Sequence, residues 1–259
     1  MKAENPFGIQ RVMHEIKRRR LQVLRVAELT PRMRRITLGG LELAGFLSEG
    51  SDDHIKLMFA STPEQQAALD TMVLGAPAPE GAKPDMRDYT PRRVDLQAGE
   101  LDIDFVLHGD GPAATWAAQA EPGQFLHIGG PRSSMHVPDV FNAYLLIGDE
   151  TAIPAIARRL EELPGNRRAL VVIEVENAEE RQAFTSAASF EVIWVERPSG
   201  DLLQTVSDLS LPDGVVYGWI ATEAGLSRRL RRVLLDQHGL SEEQIKAAGY
   251  WRLEGGDGE

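Results

Sequence analysis

The sequence predicts a β-barrel plus α/β chain: an antiparallel barrel followed by a parallel-sheet domain. Two observations carry this. Up to about Pro138, short runs alternate apolar and polar residues and are punctuated by Gly and Pro. Beyond that point near-continuous apolar runs alternate with helical patterns, the signature of βαβ units. The length of 259 residues suits two modest domains, and the expected boundary separates 1–138 from 139–259.

In the first part, LQVLRVAELTPRMRRITL at 21–38 reads as two strands around a Pro turn. His54–Ala60, Val94–Leu96, Leu101–Leu107 and Phe125–Ile128 add short strands, with one helical stretch near Ala113–Ala120. In the second part, Tyr144–Gly148, Ala169–Glu176, Phe190–Val195 and Val215–Ala221 are apolar enough to be strands covered on both faces. Between them, Ile153, Ile156, Ala157 and Leu160 share one helical face, as do Leu226, Leu230, Val233 and Leu234. No repeat with a period of 20–50 residues points to a solenoid.

Composition narrows the function. The chain is acidic, with a formal charge of −11, yet residues 1–40 hold ten Lys or Arg against three acidic residues. No zinc-finger, RNP or helix-turn-helix pattern accompanies the basic run Lys17–Arg20 and aromatics are sparse, so nucleic acid is not an expected partner. The run reads as a solvated face or as an internal partner for the acidic body. No apolar stretch is long enough to span a membrane, and the start MKAENPFGIQ has no apolar h-region, so a cytoplasmic address is expected. With no cysteine, disulfides, thiolate nucleophiles and cysteine-ligated clusters are excluded. The six histidines show no ligand spacing, so no metal site is expected.

Four segments carry candidate chemistry. Gly109-Asp-Gly111-Pro112-Ala113-Ala114 follows a strand and precedes a helix, so it matches a dinucleotide fingerprint, but no acidic residue stands about 20 positions on. It reads equally as a tight turn, and a Gly-rich turn before a helix suits a diphosphate either way. Arg87-Asp88-Tyr89-Thr90 sets a guanidinium, an aromatic ring two residues along the same strand face, and a hydroxyl in sequence; the alternative is a turn with exposed arginines. Gly129-Gly130-Pro131-Arg132-Ser133-Ser134 offers free N–H groups and hydroxyls to an anion. Gly148-Asp149-Glu150-Thr151 ends the first parallel strand, where Asp and Thr are either helix caps or line the edge at which nucleotides bind.

Taken together, RDYTPR at 87–92, VLHGDGPAATWA at 106–117, PGQFLHIGGPRSS at 122–134, GDETAIPAI at 148–156, WIATEAG at 219–225 and GYWR at 249–252 resemble the siderophore-interacting protein family, FAD-dependent ferric-siderophore reductases of the ferredoxin-reductase-like superfamily. The resemblance implies an N-terminal FAD-binding barrel and an NAD(P)H-binding second domain. It implies that Arg87 and the 108–113 turn, with Gly111, Pro112 and Ala113, bind the FAD diphosphate, and that Asp88 also belongs to the cofactor site. Tyr89 would pack on the isoalloxazine, Thr90 would lie near its reactive edge, and His108, Trp116, Arg132, Ser133 and Ser134 would complete the cradle. Asp149, Glu150 and Thr151 would lie where nicotinamide meets flavin, with Trp219, Thr222 and Glu223 along the same edge and Tyr250 and Trp251 closing the site; Tyr250 and Trp251 read otherwise as a hydrophobic final strand. Thr90 and Thr151 are the expected catalytic positions.

A flavin accepts a two-electron hydride and releases single electrons, which is what ferric iron requires. Siderophore oxygen donors favour Fe(III), so reduction loosens the complex. Lys56, alone among the apolar residues of HIKLMF, together with Arg132 and Arg252 would meet the anionic ferric siderophore; Lys56 reads otherwise as a solvent-facing strand lysine. Glu174 and Glu176 argue for NADH and Arg181 and Arg197 for NADPH, and a ferredoxin is a further candidate donor. The rival readings are a general flavin or ferric reductase and a siderophore-binding module without redox activity.

Overall fold

The computed structural model describes residues 5–72 and 82–253. The chain divides into two compact units: Arg11–Met135, and the N-terminal segment up to Gln10 together with the chain from His136 onward.

The first unit contains β1 (Gln10–Met13), β2 (Arg18–Thr30), β3 (Met33–Gly39), β4 (Ile55–Phe59), α1 (Pro63–Thr71), β5 (Asp85–Tyr89), β6 (Pro91–Asp95), β7 (Glu100–Val106), α2 (Pro112–Ala118), β8 (Phe125–Gly129) and β9 (Ser133–His136). Seven of these strands form an antiparallel sheet in the order β5-β4-β8-β2-β3-β7-β6, and β1 pairs with β9. The expected barrel is therefore an open one. Its two edges, β5 and β6, are consecutive in sequence and separated only by Thr90, so the sheet must curl until the edges meet there. Pro91, which cannot donate to a ladder, opens edge strand β6, where that loss is tolerated. The period-two pattern fills the interior: Leu21 and Val23, Ile36 and Leu38, Ile55 and Leu57, Leu101, Ile103 and Phe105, and Leu126 and Ile128 all belong to one buried core.

The outer face is held by charge. Asp102 and Asp104 alternate with those core residues on β7. Asp104 takes Arg35 in a two-pronged ion pair at 2.7 and 2.8 Å, and Asp102 takes Thr37 at 2.6 Å and Arg93 at 2.7 Å. Helix α1 escapes the periodicity reading because Leu69 is its one buried residue; a capping box between Thr62 and Gln65 and Pro63 in its first turn specify it instead.

The second unit contains β10 (Ala143–Gly148), α3 (Ile153–Glu162), β11 (Arg168–Val175), β12 (Ser189–Glu196), α4 (Leu202–Ser207), β13 (Val216–Glu223), α5 (Ala224–Asp236) and β14 (Ile245–Trp251). All five strands are parallel, in the order β12-β11-β10-β13-β14. Ala143, Leu145 and Ile147 of β10 pack with α4 and α5 residues in one core. Tyr144, on the opposite face, packs edge-on against Phe141 and Tyr217. A sheet buried on both faces explains why these strands read as continuous apolar runs. β14 lengthens the sheet by one strand, as the alternative reading of Tyr250 and Trp251 has it.

His127 of β8 is buried under α1, and among the described residues neither ring nitrogen has a hydrogen-bond partner; the Asp70 carboxylate lies 3.6 Å away. Burial, and then the nearby Arg18 and Arg20, hold its pKa below the usual 6.5, with Asp70 opposing them. A base with a lowered folded pKa contributes stability above the unfolded value and loses it as pH falls toward the folded one. Urea unfolding midpoints should therefore drop below about pH 6.5, and His127→Leu should flatten that acid limb. An unchanged limb in the variant would remove His127 as its source.

Candidate functional site

The seam between β5 and β6 gathers much of the predicted chemistry. Tyr89 on β5 packs against Phe105 on β7 with ring centroids 4.6 Å apart, and Trp116 of α2 lies 5.7 Å from Phe105 and 5.8 Å from Phe59. This aromatic row joins the RDYT, LDIDFVL and GDGPAATW segments, which are separate in sequence. Burial raises the Tyr89 phenol pKa well above its ordinary value, against the pull of Arg87, so the ring is neutral. Arg87 shares the inward parity of Tyr89 yet is exposed, because it lies on the edge strand where the barrel stays open. Thr90, between the edges, is buried.

The turn after β7 leaves room at its glycines. Gly109 has φ +58°, and among the described residues neither it nor Gly111 has an atom beyond its chain neighbours within 4 Å of where a Cβ would stand. Gly111 caps α2 without a side-chain bond, Pro112 and the buried Ala113 follow, and His108 is exposed beside them. Strand alternation separates other expected members of the cradle. Asp88 points to the outer face, opposite Arg87 and Tyr89, and holds Lys56 at 2.6 Å, both side chains being about half exposed. Lys56 is in register with Gly129, so it borders the turn that carries the exposed Arg132 and the half-buried Ser133. Ser134 turns inward: its hydroxyl donates to Asp53 at 2.6 Å and lies 2.7 Å from His14 Nε2.

In the second unit the strand order reverses between β10 and β13, and the carboxyl ends of those strands form the switch point of the sheet. Gly148 ends β10 because a Cβ there would stand 2.3 Å from Ala152 and 2.9 Å from the Ala221 carbonyl. Asp149 follows, 1% exposed, and its carboxylate accepts from Thr151 N at 2.9 Å, Thr151 Oγ1, Thr222 Oγ1 at 2.9 Å and Trp251 Nε1 at 2.7 Å. Burial raises its pKa, and the Thr151, Trp251 and Thr222 donors act against that rise. Asp149 thus caps the Glu150–Ala152 turn through Thr151 and at the same time ties β14 to the switch point. Glu150 is buried and accepts from Glu176 N and from Arg197. Trp219 is buried against Tyr250, Glu223 caps α5, and Arg252 is exposed just beyond β14.

Residues 22–135 match the siderophore-interacting FAD-binding domain, and residues 141–254 match the siderophore-interacting protein domain. The chain belongs to the siderophore-interacting protein family. It is 33% identical to the NADPH-dependent ferric-chelate reductase of Escherichia coli, over 93% of this chain and 96% of that one. It is 29% identical to the ferric vibriobactin reductase ViuB of Vibrio cholerae, over 90% and 89%. Among solved structures it resembles a siderophore utilization protein from T. fusca, at 35% identity and a TM-score of 0.84, covering 94% of this chain and 96% of that one. FAD is accordingly the cofactor of the first unit. The residues fit it: an exposed guanidinium of inward parity, an aromatic row and an open glycine turn converge at the seam.

Among the described residues no group of three or more His, Asp or Glu could hold a metal ion, and no helix is long and apolar enough to cross a membrane. Sequence reasoning missed Phe59 and Phe105 as site residues because they belong to ordinary core periodicity. It also missed the Asp53–Ser134–His14 chain, whose members are up to 120 residues apart. Trp251→Phe keeps the ring but removes one donor from the buried Asp149 carboxylate. It should lower unfolding stability by about 1.5–3 kcal/mol with the helical signal retained; an unchanged urea midpoint would show that the bond is idle.

Proposed function

We propose that this protein is a FAD-dependent reductase that carries electrons from NAD(P)H to a ferric siderophore and so releases Fe(II). The observation that carries the reading is the convergence at the Thr90 seam, within the segment that matches a siderophore-interacting FAD-binding domain. The names of the E. coli and V. cholerae relatives, both ferric reductases, support it.

In this reading Arg87 and the backbone of the 108–113 turn hold the diphosphate, and Tyr89 and Trp116 wall the ring system. Bound FAD supplies the conversion of a two-electron donor into single-electron delivery. Thr90, buried between the two sheet edges, would offer its hydroxyl to the reactive edge, and the apolar residues of the barrel core would exclude water. Asp149 fixes Thr151, Thr222 and Trp251 at the switch point, so the nicotinamide meets a preset wall rather than mobile side chains. Lys56 and Arg132 flank one turn and attract an anionic chelate, but Asp88 neutralises much of the lysine's charge. Arg252 is the remaining candidate contact. Reduction weakens the hold of hard oxygen donors on the iron, and the protein needs no iron ligand of its own.

The test is direct. Purified protein should bind one FAD, and Arg87→Ala should weaken that binding roughly tenfold or more, as expected for loss of a charge-assisted bond. Under anaerobic conditions the holoprotein with NADH or NADPH should reduce ferric siderophores, with Fe(II) trapped by a chromogenic chelator. Asp88→Asn should lower KM for anionic chelates by unmasking Lys56. Failure to bind FAD, or FAD binding without chelate reduction, would overturn the reading. Equal rates on ferric citrate and on siderophores would reduce it to a general ferric reductase, and reduction by ferredoxin alone would remove the nicotinamide.

A further inference from the structure

We propose that this chain takes NADH in preference to NADPH, with Glu174 and Glu176 as the discriminating residues; the inference rests on the dinucleotide reading above. The two donors differ only by a 2′-phosphate, a dianion near neutral pH. Parallel-sheet sites accept that phosphate with an available arginine, and favour the unmodified ribose with a carboxylate at the end of the second strand. Here both residue types stand at that edge. Glu174 lies near the end of β11, the second strand of its sheet in sequence, Glu176 follows it, and Arg197 follows β12.

The arginine is already occupied. Its Nε lies 3.1 Å from Glu174, its Nη1 2.8 Å from Glu150 and 3.2 Å from Glu176, and its Nη2 2.5 Å from Glu150. Every guanidinium nitrogen faces a carboxylate, and three carboxylates surround one cation. Glu150 is 5% exposed and is also fixed by the Glu176 amide at 2.7 Å. Drawing Arg197 away toward a phosphate would strand that buried charge, which is strongly destabilising. The second candidate cation is engaged as well, since Arg181 pairs with Glu196 at 2.6 Å. A 2′-phosphate brought here would meet a net negative edge, whereas the partly exposed Glu174 and Glu176 side chains can accept from ribose hydroxyls. The E. coli relative is named for NADPH; in this chain the guanidinium that a 2′-phosphate would need is already held by carboxylates.

Calorimetric titration of the FAD-loaded protein with NAD⁺ and with NADP⁺ reads the preference without turnover. NADP⁺ should bind roughly tenfold or more weakly. Glu176→Gln, at the more exposed position, should narrow the gap, and Glu174→Gln with Glu176→Gln should narrow it further by raising NADP⁺ affinity. NADP⁺ binding as tightly as NAD⁺, or a ratio unmoved by both variants, would overturn the preference while leaving the dinucleotide site intact. Binding of neither would overturn the dinucleotide reading, and the preference with it.

Discussion

Closure of the first sheet at a single residue is the constraint on which the rest of that unit depends. β5 and β6 are opposite edges of seven strands and yet neighbours in sequence, so the chain between them cannot span a flat sheet. Curling brings β5 against β7 from the far side, and the 4.6 Å contact of Tyr89 with Phe105 is the direct result. The curl is driven by the inward-facing residues, because burying all of them at once requires the two edges to approach. An edge strand has unpaired backbone groups on its outer side. The same geometry that completes the core therefore leaves a line of hydrogen-bonding groups beside an aromatic row.

Charge is handled inside the molecule to a degree that the net value of −11 conceals. The arginine-rich N-terminal stretch is spent on its own unit. Arg25 pairs with Glu100, Arg34 with Glu28 and Arg35 with Asp104, while Arg18 donates to the Leu69 carbonyl and Arg19 to Gly45. Exposed pairs of this kind contribute little stability individually; their consequence is to cancel a basic surface. What remains available to an anion lies at a few edges, with Arg87 and Arg132 exposed and without a carboxylate partner among the described residues.

The fold was largely legible because two periodicities meet near residue 138. β2, β3, β4, β7 and β8 announce themselves by alternation, and the strands of the second unit by continuous apolar runs. Short or locally specified elements did not. α1 has no apolar stripe, α4 is six residues long, and only the end of β14, at Tyr250 and Trp251, reads as strand, because the IKAAG before it has the composition of a turn or a helix. The site was legible as residue types but not as partnerships. RDYT told that a guanidinium and a ring share a strand face, but not that Asp88 faces the other way to hold Lys56. Glu174, Glu176, Arg181 and Arg197 could be read either way until the ion pairs were seen, because sequence lists charges without saying which cancel.

Both units gather polar groups at the place where their topology cannot continue. In the barrel that place is the seam, where two edges meet through Thr90. In the parallel sheet it is the switch point, where the strand order reverses and the carboxyl ends of β10 and β13 lie side by side. These places come from strand order, so side-chain changes there alter chemistry without altering the fold. Asp149 shows the limit of that freedom: its carboxylate joins β10, β13 and β14, and it is structural before it is anything else. Arg197 shows the latitude, since its surroundings, rather than its presence, decide which anion it can receive. Specificity at such an edge is set by how many carboxylates already claim the cation.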